Sequence, residues 1–203
     1  MTTAPPPAAR ILGEFASQLA PEIIPVGALA RARECLIDTI GVAYLGRTFP
    51  WSASVAGVAR AYGGKGESRI IGDPTPTSAP FAALVNGTYA HAFEFDSLRH
   101  PGVGVHPGAS LVPSALAIAD EVGATGMELL ASIVAGSEVM FRVGAASKHS
   151  LERAGFHAPG ITGPFGAAVS AGYLLRLDPP SMSNAIGIAG SLGGGLLAFA
   201  KAS

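Results

Sequence analysis

The sequence has little cysteine, little charge and no clustered basic residues. A single cysteine, Cys35, rules out an intrachain disulfide framework, and this is typical of a reducing cytoplasm. The 13 lysines and arginines are scattered and form no basic run, which argues against a nucleic-acid partner. The N-terminus MTTAPPPAAR has no apolar segment behind a basic start, so we expect no signal peptide and a cytoplasmic location.

Aromatic residues are also scarce, at 7%, whereas hydrophobic residues as a whole reach 49%. This composition, dominated by small apolar side chains, predicts helices that approach one another closely around one core. Residues 154–175 and 179–200 contain no Asp, Glu, Lys or Arg over about the length of a helix. Both segments are rich in Gly, Pro and Ser, so we expect no membrane span.

Apolar residues recur at helical spacing along most of the chain, and alternation with a period of two is nearly missing. We therefore predict an all-α fold, a compact multi-helix domain over residues 8–203 that follows a disordered N-terminus over residues 1–7. The polar segment Gly64–Pro80 is predicted to be a loop that covers the helices. The predicted helices are Ala8–Ala20, Val26–Leu45, Pro50–Tyr62, Ser78–Phe95, Pro107–Val122, Thr125–Lys148, Thr162–Leu175 and Ser181–Lys201.

Titratable groups are concentrated in the stretch Asn86–Gly108, and a second focus is the segment GFHAPGITGPFG around His157. The first stretch holds His91, Glu94, Asp96, His100 and His106. Because charged residues are only 13% of the chain, this density indicates one acid/base site built from the two segments.

His106 and His157 each precede a predicted helix N-terminus. Such ends present unpaired N–H groups and the positive end of a dipole, which favour bound anions. Imidazole titrates near neutrality and can donate or accept a proton there. The pair therefore suits a substrate with carboxylates; the alternative is that each histidine only caps a loop by hydrogen bonding.

Glu94 and Asp96 are predicted to lie at the end of a helix, where carboxylates oppose the helix dipole. This misfit favours a role in orienting a histidine or accepting a proton, and the alternative is a solvated helix end. His91 and Glu94 are three residues apart and share a helix face. Together with Asp96, His100 and His106 they could hold a metal. No ligand spacing of high specificity is present, so no metal is expected.

Two glycine-rich segments are interpreted as packing features. Gly160, Gly163 and Gly166 are spaced by three and indicate close backbone approach near His157. The segment Gly190–Gly195 follows no strand and lacks a P-loop lysine, so helix packing is favoured over a nucleotide loop.

Several motifs together resemble the N-terminal half of the MmgE/PrpD family, which includes 2-methylcitrate dehydratase, cis-aconitate decarboxylase and iminodisuccinate epimerase. The motifs occur in the family's order, and the similarity runs from about Ile11 to Ser203. They are NG…HAFEFDS…HPG…HPGA, AGSEVMFRVG, GFHAPGITGPFGAA and NAIGIAGSLGGGLL.

The resemblance implies a large helical domain that is followed by a smaller α/β lid, a homodimer, and cofactor-free lyase chemistry on a small di- or tricarboxylate. Dehydration of a 2-methylcitrate-like hydroxy acid is the expected reaction, and decarboxylation or epimerisation of a related acid is the alternative. The family members are longer, and the lysine-containing stretch of their site has no match here. We therefore expect a fragment, a chain that pairs with a complementary C-terminal chain, or a non-catalytic interaction subunit.

The resemblance also assigns site residues. The family's decarboxylase motif Asp-Phe-Asp-Asp-Thr corresponds to residues 94–98 here, so that a glutamate replaces the first acid, and Ser97 and Leu98 replace the last two residues. The expected catalytic residues are His106, His157, Glu94 and Asp96. The expected substrate-binding residues are His100, Ser97, Gly108 and Thr162.

Overall fold

The computed structural model describes residues 6–98 and 104–198, and within those ranges the secondary structure is nine α-helices with no strand. The predicted all-α fold is confirmed. The helices are α1 Ala8–Gln18, α2 Val26–Gly46, α3 Pro50–Tyr62, α4 Ala79–His91, α5 Pro107–Val122, α6 Gly126–Ser147, α7 Ser150–Arg153, α8 Ala158–Leu174 and α9 Pro179–Leu192. A short 3-10 turn, Pro21–Ile23, joins α1 to α2.

Local sequence signals explain several of the helix ends. Thr125 and Glu128, which stand at capping-box spacing in the sequence, form a capping box at the start of α6, in which each side chain bonds the other residue's backbone N–H. The Asp178 carboxylate accepts a hydrogen bond from the Ser181 N–H at the start of α9. Gly123 ends α5 in the left-handed conformation that suits glycine.

Helices α5, α6 and α8 form the centre of the molecule. They approach closely because small residues face one another: a side chain at Gly136 would press on Gly166, and one at Gly166 would press on Leu111 and Met140. This bears out the packing role predicted for the glycines of α8. Helices α1 and α9 cover one side of this centre, and α2, α3 and α4 cover another.

The polar loop between α3 and α4 lies over α4 and α5, as predicted. Its only regular pairing among the described residues is an isolated bridge between Ser68 and Thr77. The buried Asn86 amide of α4 holds the loop by accepting from the Ile71 N–H at 2.8 Å and donating to the Arg69 carbonyl at 3.0 Å.

Some predicted boundaries were wrong. Helix α4 ends at His91, so Glu94 and Asp96 lie in the loop beyond it and not in its last turn. Helix α8 begins at Ala158 because Pro159 is tolerated in a first turn, and α9 ends at Leu192 before a run of glycines. The short helix α7 was not predicted. Residues 1–5 of the predicted disordered N-terminus and residues 199–201 of the predicted last helix lie outside the described residues.

Helix α6 is long and apolar enough to cross a membrane by length and composition, the one such helix in the described ranges. It packs against α2, α5 and α8, and this burial in the core accounts for its apolar composition.

Replacing Gly46 with alanine tests the close crossing of α2 and α4. A Cβ at this position would overlap the Tyr89 carbonyl oxygen, so we expect a loss of roughly 1–3 kcal/mol in the free energy of unfolding, measured by urea denaturation. Gly41→Ala is the matched control: it lies on the exposed face of α2 with open space, and should be neutral or stabilise by roughly 0.5–1 kcal/mol. Equal effects of the two substitutions would contradict this account.

Candidate active site

Three segments bring imidazoles together. Helix α4 ends at His91, His106 stands at the residue before α5, and His157 stands at the residue before α8. Because α5 packs against both α4 and α8, the ends of these helices converge. His106 and His157 line the same cleft, and their role as one site stays a prediction.

Asp96 is the organising group of this cluster. Its side chain is fully buried, with 0% exposed, and it stands between two histidines. Its Oδ1 is 2.7 Å from His91 Nδ1, and its Oδ2 is 3.0 Å from His106 Nδ1. An ionised carboxylate only accepts hydrogen bonds, so both Nδ1 atoms donate to it. The Nε2 atom of each ring is thereby left for proton transfer or ligand binding.

The pKa values follow from this arrangement. Burial by itself would raise the pKa of Asp96, but hydrogen bonds from His106 and His91 outweigh it and lower the value to about 2. The hydrogen bond to Asp96 raises the pKa of His91. Burial and the neighbouring imidazoles of His91 and His106 lower the pKa of His157. The cluster therefore contains one imidazole that tends to keep its proton and one that tends to lose it.

The three rings line one open cleft of about 290 Å³. The ring centroid of His91 is 5.7 Å from that of His106 and 6.0 Å from that of His157. The remaining lining comes from α4 and from the first turns of α5 and α8, and it is small or uncharged. It consists of Gly87, Thr88, Ala109, Ser110, Pro159 and Gly160.

Backbone contacts with glycines fix the position of the His157 segment. The His157 N–H donates to the Gly195 carbonyl at 2.9 Å, and the Gly194 N–H donates to the Gly160 carbonyl at 3.1 Å. A Cβ at Gly160 would overlap the Gly194 carbonyl oxygen, so only glycine permits this approach. The glycine-rich segment is thus a support for the His157 loop, in agreement with the packing role predicted for it.

Glu94 lies at the rim of the cluster. It has a positive φ of 54°, which is unusual for a residue with a side chain, and its carboxylate is mostly exposed. Its Oε1 is 3.9 Å from His91 Nε2, beyond hydrogen-bonding distance. Glu94 therefore adds negative charge near His91 without orienting it. A catalytic role for Glu94 stays a prediction.

Three of the four residues expected to bind substrate, Ser97, Gly108 and Thr162, do not line the cleft. The Ser97 hydroxyl is 3.3 Å from the Cys35 thiol and lines a separate cavity of about 380 Å³ between α2, α5 and α6. Gly108 is buried, and a Cβ there would meet Ser97 and Thr39. Thr162 is buried and donates to the Ala158 carbonyl at 3.0 Å. His100 lies outside the described residues.

Cys35 lines that second cavity and not the cleft of the three histidines. Burial raises the pKa of its thiol, so the reactive thiolate is disfavoured. These properties are those of a small packing residue and not of a nucleophile.

One group among the described residues could hold a metal. His91, Asp96 and His106 each offer a ligand atom, and these atoms lie within 4.8 Å of one another. Each imidazole Nδ1 is at hydrogen-bonding distance from a different carboxylate oxygen, so a hydrogen-bonded network already accounts for the spacing.

His91 belongs to the titratable stretch predicted from the sequence, but no catalytic or substrate-binding role was predicted for it. Its position five residues before Asp96 was the available signal, because a chain that turns back after a helix can bring such a pair into contact. That signal becomes specific only once the helix is known to end at His91.

Comparison with known proteins matches this domain to one family. The family described as MmgE/PrpD N-terminal domain matches residues 10–203. The chain is similar to the cis-aconitate decarboxylase-like protein oryM of Aspergillus oryzae, with 31% identity over 92% of this chain and 40% of the relative. It is 31% identical to cis-aconitate decarboxylase of Aspergillus terreus and 29% identical to that of Homo sapiens, over 90% and 85% of this chain and 38% and 37% of the relatives, respectively. The chain thus spans about 40% of the length of the curated relatives that it matches.

The low pKa of Asp96 predicts acid sensitivity. In the folded protein the pKa of Asp96 is about 2, below the ordinary value of 3.8. The ionised carboxylate therefore adds roughly 2 kcal/mol to the free energy of unfolding above pH 3.8, and this stabilisation is lost as the pH falls towards 2. Asp96→Asn should remove that part of the pH dependence in urea unfolding from pH 2 to 6, whereas the exposed Asp38→Asn should retain it. An unchanged slope in Asp96→Asn would refute the assignment.

The raised pKa of His91 affects stability with the opposite sign. Its contribution to the free energy of unfolding is present below about pH 6.5 and is lost as the pH rises through the raised pKa.

Proposed function

Because this chain belongs to the MmgE/PrpD family through its N-terminal domain, we propose that it forms part of a lyase acting on a small di- or tricarboxylate. The observation that supports this best is the cleft in which His106 and His157 precede two helices and face His91. Helix N-termini attract carboxylates, and imidazoles move protons near neutral pH.

The proposed reaction is dehydration of a 2-methylcitrate-like hydroxy acid. A base removes a proton from the carbon next to a carboxylate, and the electron pair forms the alkene as the C–O bond breaks. The departing hydroxide takes a proton from an acid and leaves as water. The lowered pKa of His157 suits the base, because its imidazole is neutral at working pH. His106, which donates through Nδ1 to Asp96, is assigned the acid role through Nε2.

Decarboxylation is the main alternative within the same class, since the relatives carry that name. There the bond to a carboxylate breaks, CO₂ leaves, and an imidazolium protonates the carbanion that remains. Epimerisation would return the proton to the opposite face of the same carbon. All three reactions need a bound polycarboxylate and a proton-transfer group, so the cleft is compatible with each.

We further propose that the complete site includes basic groups from outside this sequence, supplied by a complementary C-terminal half and covering the cleft. A cofactor is not part of the proposed chemistry. The proposed assembly is a homodimer or a complex with a complementary chain, and the proposed location is the cytoplasm.

The lyase prediction can be tested by supplying a complementary C-terminal half and assaying citrate, 2-methylcitrate and cis-aconitate. Alkene formation or loss is followed by ultraviolet absorbance, and CO₂ release separates decarboxylation from dehydration. His106→Gln and His157→Gln should each lower kcat/KM by roughly 10²- to 10⁴-fold, because each removes a proton-transfer group. His149→Gln is the matched control, since that histidine pairs with Glu152 outside the cleft. Undiminished activity in both site variants would exclude the assignment.

A second candidate function, a non-catalytic interaction subunit, is favoured by a row of aromatic side chains beside the cleft. Phe49 stacks on Trp51 at 5.0 Å and on Phe93 at 5.2 Å, and Phe93 contacts Phe95 at 5.2 Å. Trp51, Phe93 and Phe95 are each at least half exposed. Rows of exposed apolar side chains of this kind mark interaction surfaces.

Size-exclusion chromatography with light scattering tests this candidate. If the aromatic row binds a partner or a second copy, the protein should self-associate, and Phe95→Ser should shift it towards monomer. Tyr62→Ser is the control, because Tyr62 is also an exposed aromatic residue and lies at the end of α3 opposite Trp51. A monodisperse, soluble monomer would argue against the interaction subunit.

A further inference from the structure

We propose that His91 is a third functional imidazole, whose Nε2 binds a carboxylate of the substrate beside His157. This inference rests on the proposed function, because it requires a polycarboxylate ligand in the cleft. It adds a residue that neither the sequence motifs nor the family resemblance assigned to catalysis or substrate binding.

The first support is the orientation of the ring. His91 Nδ1 is 2.7 Å from Asp96 Oδ1, and the buried carboxylate can only accept, so Nδ1 is the donor. The two nitrogens of an imidazole lie on different sides of the ring, so Nε2 is directed away from Asp96. The His91 side chain lines the cleft and is 30% exposed, so a ligand in the cleft can reach the ring.

The second support is charge. The titratable groups that face His91 are Asp96 and Glu94 from its own loop, His106 before α5 and His157 before α8. The hydrogen bond to Asp96, with the negative charges of Asp96 and Glu94, favours the protonated ring, and this agrees with its raised pKa. No lysine or arginine lines the described part of the cleft, so a protonated His91 would supply positive charge there.

The third support is the contrast with His157. The two ring centroids are 6.0 Å apart, and the rings are inclined by 36°, so a small acid can contact both. If the His91 imidazolium binds a carboxylate, the carbon next to that carboxylate lies near the neutral imidazole of His157. That carbon bears the proton that a base must remove in the proposed reaction. His91 would then bind and orient, and His157 would transfer the proton.

Nuclear magnetic resonance of the chain with ¹⁵N-labelled histidine rings tests this role without an activity assay. Citrate is titrated as the probe, with acetate at equal ionic strength as the control. We expect citrate to shift the His91 ring signals and to raise its pKa, because the bound anion favours the imidazolium. The affinity for citrate should fall as the pH rises through the pKa of His91.

His91→Gln should weaken citrate binding by roughly 10- to 100-fold and remove this pH dependence, because a hydrogen bond to a charged partner is lost. His149→Gln should bind citrate like the unmodified chain. A purely structural role would change stability but not the pH profile of binding, and the wild-type titration tests the role even if the variant folds poorly.

The outcomes separate the two proposals. If citrate shifts His106 and His157 but leaves the His91 ring and its pKa unchanged, the role of His91 is refuted and the proposed function stands. If citrate shifts none of the three rings, even with the complementary C-terminal half added, both are refuted. If all three respond but no lyase activity follows in the complemented protein, the binding role stands and the proposed reaction fails.

Discussion

The site depends on one buried carboxylate that accepts hydrogen bonds from two imidazoles. Asp96 is withdrawn from solvent, and its charge is retained because His91 and His106 each donate to a different oxygen. An isolated buried charge is costly, so this pairing is a condition for the loop to adopt its conformation. The same contacts set the ring tautomers and aim both Nε2 atoms away from the carboxylate, so one interaction both stabilises the loop and prepares its chemistry.

The small residues of the core have a direct functional consequence. Because Gly136 and Gly166 let α6 and α8 approach closely, and Gly160 lets the chain after α9 reach the start of α8, His157 is brought opposite α4. Larger side chains at these positions would separate the helices and widen the cleft. The scarcity of aromatic residues and the abundance of glycine are therefore linked to how the site is assembled.

Much of the fold could be predicted from local patterns. The capping box at Thr125, the starts of α3 and α5 at prolines and the end of α5 at Gly123 were all readable, because each depends on neighbours within a few residues. The position of His106 and His157 just before two helices was also readable from the prolines that follow them. The end of α4 was missed because the apolar pattern continues to Phe95, whereas the attraction of Asp96 to two histidines turns the chain earlier.

By itself the sequence determined the helical class, most helix boundaries, and the concentration of acid/base groups in two segments, since periodicity and capping act over one or two turns. Only the tertiary structure decided which of those groups meet. It placed His91 inside the cleft, Glu94 at its rim, and Ser97 against Cys35 in another cavity. The physical reason is that helix packing and the burial of Asp96 set distances between residues far apart in the chain, and no local pattern encodes those distances.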